Sequence, residues 1–250
     1  DVPKYASENN CSVEEAARRL RYECLVIEAQ AFGAEAIVTA HQADDQAETI
    51  LWKLLRGAGT DGLSGMQILS NIGSLKLLRP FLSLSRKTLE NYCRIKKLHY
   101  CEDSTNADIK YTRNRIRREL LPYLEKNFNP AIKETLIREA RLLAEEQACL
   151  VKLAEKYLQD EKFCGIVEAK SSFWINAKIL GALPTALRKR ILREAFFQIG
   201  GKELSYERTV ALDKLCMTGV GGKVVQLSYG IQALYRNKKI LIYKGDKNHE

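Results

Sequence analysis

A short, largely β-branched run that ends in a histidine and several carboxylates constrains the fold of this chain more than any other feature. The run is 36–40, and His41, Asp44, Asp45 and Glu48 follow it at once. A helical pattern precedes the run and another follows it. The order helix, strand, helix predicts a parallel α/β sheet, and open sheets of this kind bind ligands where their strands end. The sequence therefore predicts a functional site directly after this strand.

Local signals predict further elements along the chain. The predicted helices are a capped segment from Ser12 to before Gly33, one with Asp44 as its N-cap, and the segments 86–97, 112–124, 130–158, 184–199 and 205–216. The predicted strands are 36–40, 75–78, 166–168, 223–227, 231–235 and 239–243. The expected organisation is a first domain at 1–125, a long connecting helix within 126–162, and a smaller α+β domain at 163–250.

The positive charge of the chain is unevenly distributed. Its 250 residues include 40 Lys and Arg against 31 Asp and Glu, a formal net charge of +9. Basic residues crowd the segments 110–118 and 188–193. Such clusters suit a polyanion such as nucleic acid and equally suit a solvated face, and charge alone does not decide between them. No apolar run approaches the roughly 20 residues of a membrane span, so no membrane partner is expected.

The seven cysteines indicate a reducing compartment. Their number is odd and no Cys-x-x-Cys pair is present. This usage predicts reduced, mostly structural thiols in a cytoplasmic protein. A homodimer is compatible with the sequence, which does not fix the oligomeric state.

Four motifs follow one another in the first half of the chain. They are His41-x-x-Asp44-Asp45-Gln46-x-Glu48-Thr49, Arg56-Gly57-x-Gly59-x-x-Gly62-Leu63-x-Gly65-Met66, Arg79-Pro80, and Glu102-Asp103-x-x-Asn106 with Arg113-Asn114-Arg115-Ile116-Arg117. In this order and spacing they resemble the bacterial tRNA(Ile)-lysidine synthetases. The resemblance implies an α/β fold with a parallel-sheet PP-loop domain, similar to the adenine nucleotide alpha hydrolases. The region after residue 165 resembles the accessory tRNA-binding domain of that family less specifically.

One departure from the family pattern concerns the phosphate loop. The family opens with a Ser-Gly-Gly-x-Asp-Ser loop that cradles the pyrophosphate of ATP, and this sequence contains no such run. The expectation is a PP-loop domain truncated at its N-terminus. On that expectation, this chain alone would not bind ATP normally and would be inactive.

The resemblance implies a two-step, ATP-dependent ligation. C2 of the wobble cytidine in the CAU anticodon of tRNA(Ile) is adenylated, and the ε-amine of free L-lysine then displaces AMP to give lysidine. The tRNA thereby changes from methionine to isoleucine specificity. The implied cofactors are ATP and Mg²⁺. Two alternatives stay open, a non-catalytic tRNA-binding fragment and a sibling PP-loop enzyme that thiolates tRNA, although those enzymes commonly rely on paired cysteines.

The carboxylates and the histidine match two demands of that reaction. Magnesium that bridges polyphosphate needs hard oxygen ligands, and Asp44, Asp45 and Glu48 are the candidates. Lysine must lose a proton before it attacks, and Asp45 or His41 is the candidate base.

The remaining motif residues are candidates for binding substrate. Glycines at 57, 59, 62 and 65 permit positive φ angles and close approach of the backbone to a nucleotide or RNA strand. Glu102 and Asp103 have the charge to hold an amine of lysine, Asn106 has the amide to orient it, and the Arg79 motif implies a further substrate contact.

The arginines divide by their spacing. Arg113 and Arg117 lie four residues apart on one helical face and are predicted to clamp a phosphate near the reaction. The residues predicted to contact the tRNA backbone are Arg115, Arg118, Arg188, Arg190 and Arg193.

Overall fold

The structure is a computed structural model, which describes residues 1–101, 112–167 and 172–245. The chain forms two compact units, Asp1–Ala144 and Glu145–Glu250. The division falls inside the helix Ile132–Leu158, within the segment that the sequence assigns to a connector. No described helix is both long and apolar enough to cross a membrane.

The first unit is mainly helical. Its helices are α1 (Val2–Glu8), α2 (Val13–Ala31), α3 (Ala43–Leu55), α4 (Thr60–Leu63), α5 (Arg86–Ile95), α6 (Thr112–Arg115), α7 (Leu121–Asn127) and the first part of α8 (Ile132–Leu158). A π-helical turn, Ile116–Leu120, joins α6 to α7. Ser12 and Ser85 cap α2 and α5 as the sequence predicts, because each hydroxyl accepts a hydrogen bond from the backbone amide three residues later.

The sheet of the first unit is mixed rather than wholly parallel. β1 (Ala36–Val38) pairs parallel with β3 (Leu75–Leu78), which pairs antiparallel with β2 (Leu69–Ile72). The sequence predictions omit β2. It forms because Gly73, at a φ of 58°, turns the chain back in a tight hairpin. Tyr22 of α2 packs against Ile37, Leu75 and Leu77, so α2 covers one face of this sheet.

The start of α3 differs from the prediction. Its N-cap is Gln42, not Asp44. The Asp45 carboxylate accepts a hydrogen bond from the backbone amide of Gln42 at 3.0 Å. Asp44 instead accepts from the backbone amide of Arg86 at 2.8 Å and pairs with Lys133 at 3.2 Å. Burial alone would raise the pKa of Asp44, but these two partners outweigh it and lower the pKa. The two adjacent aspartates therefore point to different neighbours.

The second unit is an antiparallel sheet covered by helices. Its strands are β4 (Cys164–Val167), β5 (Ser172–Asn176), β6 (Val224–Gln226), β7 (Ile231–Arg236) and β8 (Lys239–Lys244), in the order β4-β5-β8-β7-β6. Its helices are the end of α8, α9 (Ala177–Gly181), α10 (Thr185–Gln198) and α11 (Tyr206–Thr218). The sequence predictions omit β5 and α9, each of only five residues. Phe173 and Ile175 of β5 are buried in one continuous core with α10 and α11.

Candidate active site

The carboxyl end of β1 opens onto a cavity of about 350 Å³. Its walls include Tyr22, Thr39, His41 and Asp45. The hydroxyl of Thr39 lies 2.9 Å from Nδ1 of His41, which leaves Nε2 as the nitrogen without a described hydrogen-bond partner. Burial lowers the pKa of His41, and nearby arginines add to this effect although Asp45 opposes it. His41 is therefore biased toward its neutral form.

Asp45 and Glu48 of α3 bind two arginines that come from much later in the chain. Asp45 Oδ1 accepts from Nη2 of Arg113 at 2.9 Å and from Nη2 of Arg117 at 3.2 Å. Glu48 accepts from Nε of Arg113 at 2.8 Å and from Nε of Arg117 at 2.5 Å. We call these four residues the ion network. Charge-assisted bonds of this kind fix the guanidinium planes more firmly than neutral hydrogen bonds do.

The ion network is largely removed from water. The Glu48 side chain is 1% exposed, whereas Asp45, Arg113 and Arg117 are 16%, 30% and 25% exposed. Burial lowers the pKa of Arg113, but the hydrogen bond and charge of Glu48 and the charge of Asp45 outweigh burial and raise it. The spacing of Arg113 and Arg117 therefore brings both to one place, and carboxylates of their own chain hold them there.

The three carboxylates proposed as magnesium ligands do not converge. Asp44 faces Arg86 and Lys133, and the Glu48 oxygens bind guanidinium groups. No group of three His, Cys, Asp or Glu among the described residues has the arrangement of a metal site. These side chains, as arranged, do not fit a dedicated magnesium cage.

The glycine-rich loop after α3 is fastened by a residue that the sequence predictions leave without a role. Gln46 is buried; its amide donates to the carbonyl of Met66 at 2.9 Å and accepts from the amide of Met66 at 2.8 Å. Gly65 lies against it at a φ of 69°, and a Cβ there would approach the Gln46 amide to 2.5 Å. The sequence signal that could have identified Gln46 is its position as a polar residue on the buried face of α3.

Only two of the four loop glycines need positive φ. Gly57 and Gly65 adopt it, whereas Gly59 is the N-cap of α4 with a φ of −72° and Gly62 lies within α4. A Cβ on Gly62 would come 2.5 Å from that of Ala58, so close packing requires this glycine. Of the four glycines that permit positive φ angles, Gly57 and Gly65 therefore use this freedom, whereas Gly59 and Gly62 do not.

The other predicted arginines fall into buried and exposed sets. Arg79 is 6% exposed and donates to the carbonyl of Gln67 at 2.8 Å and to Ser70 Oγ at 3.0 Å. Arg115 and Arg118 are exposed, and Arg115 pairs with Glu119 at 3.7 Å. Glu102, Asp103 and Asn106 lie outside the described residues.

In the second unit, the arginines predicted to face tRNA are largely internal. Arg188 is buried and binds Asp213 through two hydrogen bonds and the carbonyl of Leu183 at 2.9 Å. Arg190 is buried and pairs with Glu194 at 3.3 Å. Arg193 is half-buried. Arg188 and Arg190 therefore do not form the RNA-facing basic surface that the sequence predicts, because their guanidinium groups bind acceptors of this same unit.

Comparison with known proteins identifies the class of protein to which the first part of the chain belongs. Residues 2–124 match the family model described as a PP-loop domain, an ATP-binding class. The chain is 33% identical over 243 residues to tRNA(Ile)-lysidine synthase from Nostoc sp., covering 94% of this chain and 71% of that protein. The enzyme of that name from Geobacter sulfurreducens is 37% identical over 219 residues, covering 87% of this chain and 45% of that protein. The chain belongs to the tRNA(Ile)-lysidine synthase family.

A solved structure is also similar, at a lower level. The U34-tRNA thiolase NcsA from Methanococcus maripaludis has a TM-score of 0.41 and 18% identity, covering 51% of this chain and 43% of that one. Similarity at this level carries no inference about function.

Proposed function

We propose that this chain takes part in ATP-dependent ligation of lysine to the wobble cytidine of tRNA(Ile) with anticodon CAU, through an adenylated cytidine. The observation that carries the proposal is the ion network beside His41 at the carboxyl end of β1. Membership of the family, whose PP-loop domain implies the use of ATP, supports the same reaction.

In this proposal the carboxylates orient the arginines, and the arginines bind the phosphate of the adenylated intermediate. The bonds to Asp45 and Glu48 use Nε and Nη2 of both guanidinium groups. No described residue hydrogen-bonds either Nη1, so each arginine retains donors for a ligand. Donors that are fixed before the reaction stabilise developing negative charge without reorganising during it.

The geometry favours His41 over Asp45 as the base that takes the proton from lysine. Asp45 accepts from Arg113, Arg117 and the Gln42 amide, so its oxygens are already engaged. His41 is biased toward the neutral imidazole and keeps Nε2 available. We therefore assign proton transfer to His41 and the anchoring of the arginines to Asp45. Lysine recognition by Glu102, Asp103 and Asn106 remains part of the proposal on the resemblance alone.

Contacts to the tRNA backbone are assigned to the exposed arginines of the first unit. Arg115 and Arg118 lie next to the ion network in sequence and are open to solvent. They are suited to neutralising phosphate charges outside the reacting group.

All seven cysteines are free, which supports the proposed cytoplasmic location.

The test is an assay of the complete protein that contains this chain with ATP, L-lysine and an unmodified tRNA(Ile) transcript, followed by mass spectrometry of the nucleosides. The expected product is lysidine at the wobble position, with release of pyrophosphate and AMP. Methionine tRNA serves as the control and is expected to stay unmodified. Incorporation of sulfur in a parallel reaction supplied with a sulfide donor would instead establish thiolation, and tight binding of tRNA without modification would establish an RNA-binding protein.

A further inference from the structure

Four cations lie near α2, and one of them, Arg21, lines the cavity. Arg18 and Arg21 of α2 place their guanidinium carbons 5.4 and 5.7 Å from the centre of the Tyr22 ring. Arg79 and Lys53 lie within electrostatic range of Arg18. Within the described ranges, none of these four cations forms a salt bridge. They therefore differ from Arg113, whose charge the ion network compensates.

These cations repel one another. Burial, together with the charges of Arg113, Arg21 and Arg79, lowers the pKa of Arg18 despite an opposing contribution from Tyr22. Burial and the charges of Arg18 and Arg79 lower the pKa of Lys53 in the same way. Like charges held together in a partly desolvated place are destabilising until an anion joins them.

Two buried polar atoms, one on the cavity wall and one on a cation of this group, lack hydrogen bonds. Tyr22 is 9% exposed and lines the cavity, and its hydroxyl has no partner in the described part of the chain. The Nε of Arg79 is likewise buried without a described partner. Buried donors are nearly always paired in native proteins, so two orphan donors among uncompensated cations indicate a missing acceptor.

We propose that Arg18, Arg21 and the Tyr22 hydroxyl form a second phosphate-binding site on the α2 side of the cavity, with Arg79 adding positive charge within electrostatic range. The ligand is a phosphate oxyanion, which offers several acceptor oxygens to guanidinium and hydroxyl donors. Its source is either the polyphosphate of ATP or a phosphate of the tRNA backbone. The choice between these sources rests on the proposed function, but the site itself rests on the contacts above.

The experiment uses Arg18→Gln and Tyr22→Phe in the complete protein. Arg18 makes no hydrogen bond or salt bridge to the described part of the chain, and phenylalanine keeps the buried ring of Tyr22, so both variants are expected to fold. Arg19→Gln is the matched control on α2, since Arg19 pairs with Glu15 at 2.5 Å. Tyr92→Phe, at an exposed tyrosine of α5, is the control for loss of a hydroxyl. Calorimetry measures binding of inorganic pyrophosphate and of ATP, and filter binding measures tRNA affinity as a function of salt.

Each test variant is expected to weaken phosphate binding about tenfold, while the controls stay within about twofold. Weaker binding of pyrophosphate and ATP with an unchanged tRNA salt slope identifies the nucleotide as the source. Unchanged nucleotide affinity with a shallower tRNA salt slope for Arg18→Gln identifies the RNA backbone. Unchanged binding of all three probes would overturn the site. Binding is measured without turnover, so a wild-type protein that binds phosphate but makes no lysidine would overturn only the proposed function.

Discussion

Two arginine-rich segments, 113–118 and 188–193, look alike in the sequence and act differently in the structure. In the first, Arg113 and Arg117 bind carboxylates at the mouth of a cavity and remain a quarter or more exposed. In the second, Arg188 is 7% exposed and binds Asp213, and their chain neighbours Leu187 and Leu212 belong to the hydrophobic core. A run of basic residues therefore does not by itself indicate a nucleic-acid surface. The location of the partnering carboxylates decides whether such a cation lies beside the cavity or within the fold.

The largest effect is expected for Asp45→Asn. The amide keeps the size of the side chain but removes the charge that Arg113 and Arg117 share. Lysidine formation should fall about a thousandfold, or on the order of 4 kcal/mol of transition-state stabilisation, in a variant that stays folded but has a lower unfolding midpoint because a partly buried ion pair is weakened.

Asp44→Asn is the matched control for Asp45→Asn. The single-turnover rate of lysidine formation is measured for both variants. Asp44 binds Arg86 and Lys133 and lies outside the ion network, so the rate should stay within severalfold of wild type. Equal losses for the two variants would show that the adjacent aspartates act together, and would contradict the separation seen here.

Arg188→Gln should lower stability rather than RNA affinity. Removing one partner of a buried ion pair leaves Asp213 without its cation, and such losses cost about 3 kcal/mol or more. Denaturant unfolding should show this loss, and the tRNA salt slope should stay unchanged. Lys202→Gln, at an exposed lysine, is the control and should change stability by less than about 0.5 kcal/mol. A stable Arg188→Gln protein with a shallower salt slope would restore the RNA-facing interpretation.

His41→Gln should slow the lysine-transfer step about a hundredfold, the usual contribution of a general base. In the wild type, activity requires the neutral imidazole. Because the pKa of His41 is lowered from 6.5, the rate should hold as pH falls to that value and decline only below it. The variant should lose this acidic limb from its pH–rate profile. An acidic limb that persists in His41→Gln would assign the titration to another group.

The smallest effect is expected for the double variant Arg115→Gln, Arg118→Gln. Both side chains are exposed, so stability should change by less than about 0.5 kcal/mol. The tRNA salt slope should fall by roughly one unit for each RNA phosphate that the variant no longer neutralises. An unchanged slope would remove these two residues from the RNA interface.

The features that sequence reasoning predicts correctly depend on local signals. Ser12 and Ser85 cap α2 and α5, and the last three strands of the second unit appear where alternation predicts them. These elements depend on hydrogen bonds or side-chain patterns within a few residues. Short elements such as β2 and β5 depend on pairing with distant strands, which periodicity over four or five residues cannot reveal.

For the candidate site, too, some predictions from spacing are correct and others are wrong. The spacing of Arg113 and Arg117 predicts that they act together, and they do meet. The spacing of Asp44, Asp45 and Glu48 also predicts convergence, but Asp44 turns toward the start of α5, which is 42 residues later. The partners of Arg79 and Arg188 are likewise set by tertiary packing. Spacing in a motif therefore predicts only part of which charged side chains meet, because several of their partners come from distant segments.

The most direct test of the account is a double-mutant cycle between Asp45 and Arg113, measured as the single-turnover rate of lysidine formation at saturating tRNA. Arg113→Lys keeps the charge but removes the planar fork that binds Asp45 and Glu48 together. If the ion network acts as one unit, the variant with both Asp45→Asn and Arg113→Lys should be little slower than Asp45→Asn alone. Losses that multiply independently, or an Arg113→Lys variant that reacts at the wild-type rate, would contradict the claim that Asp45 acts by holding these arginines.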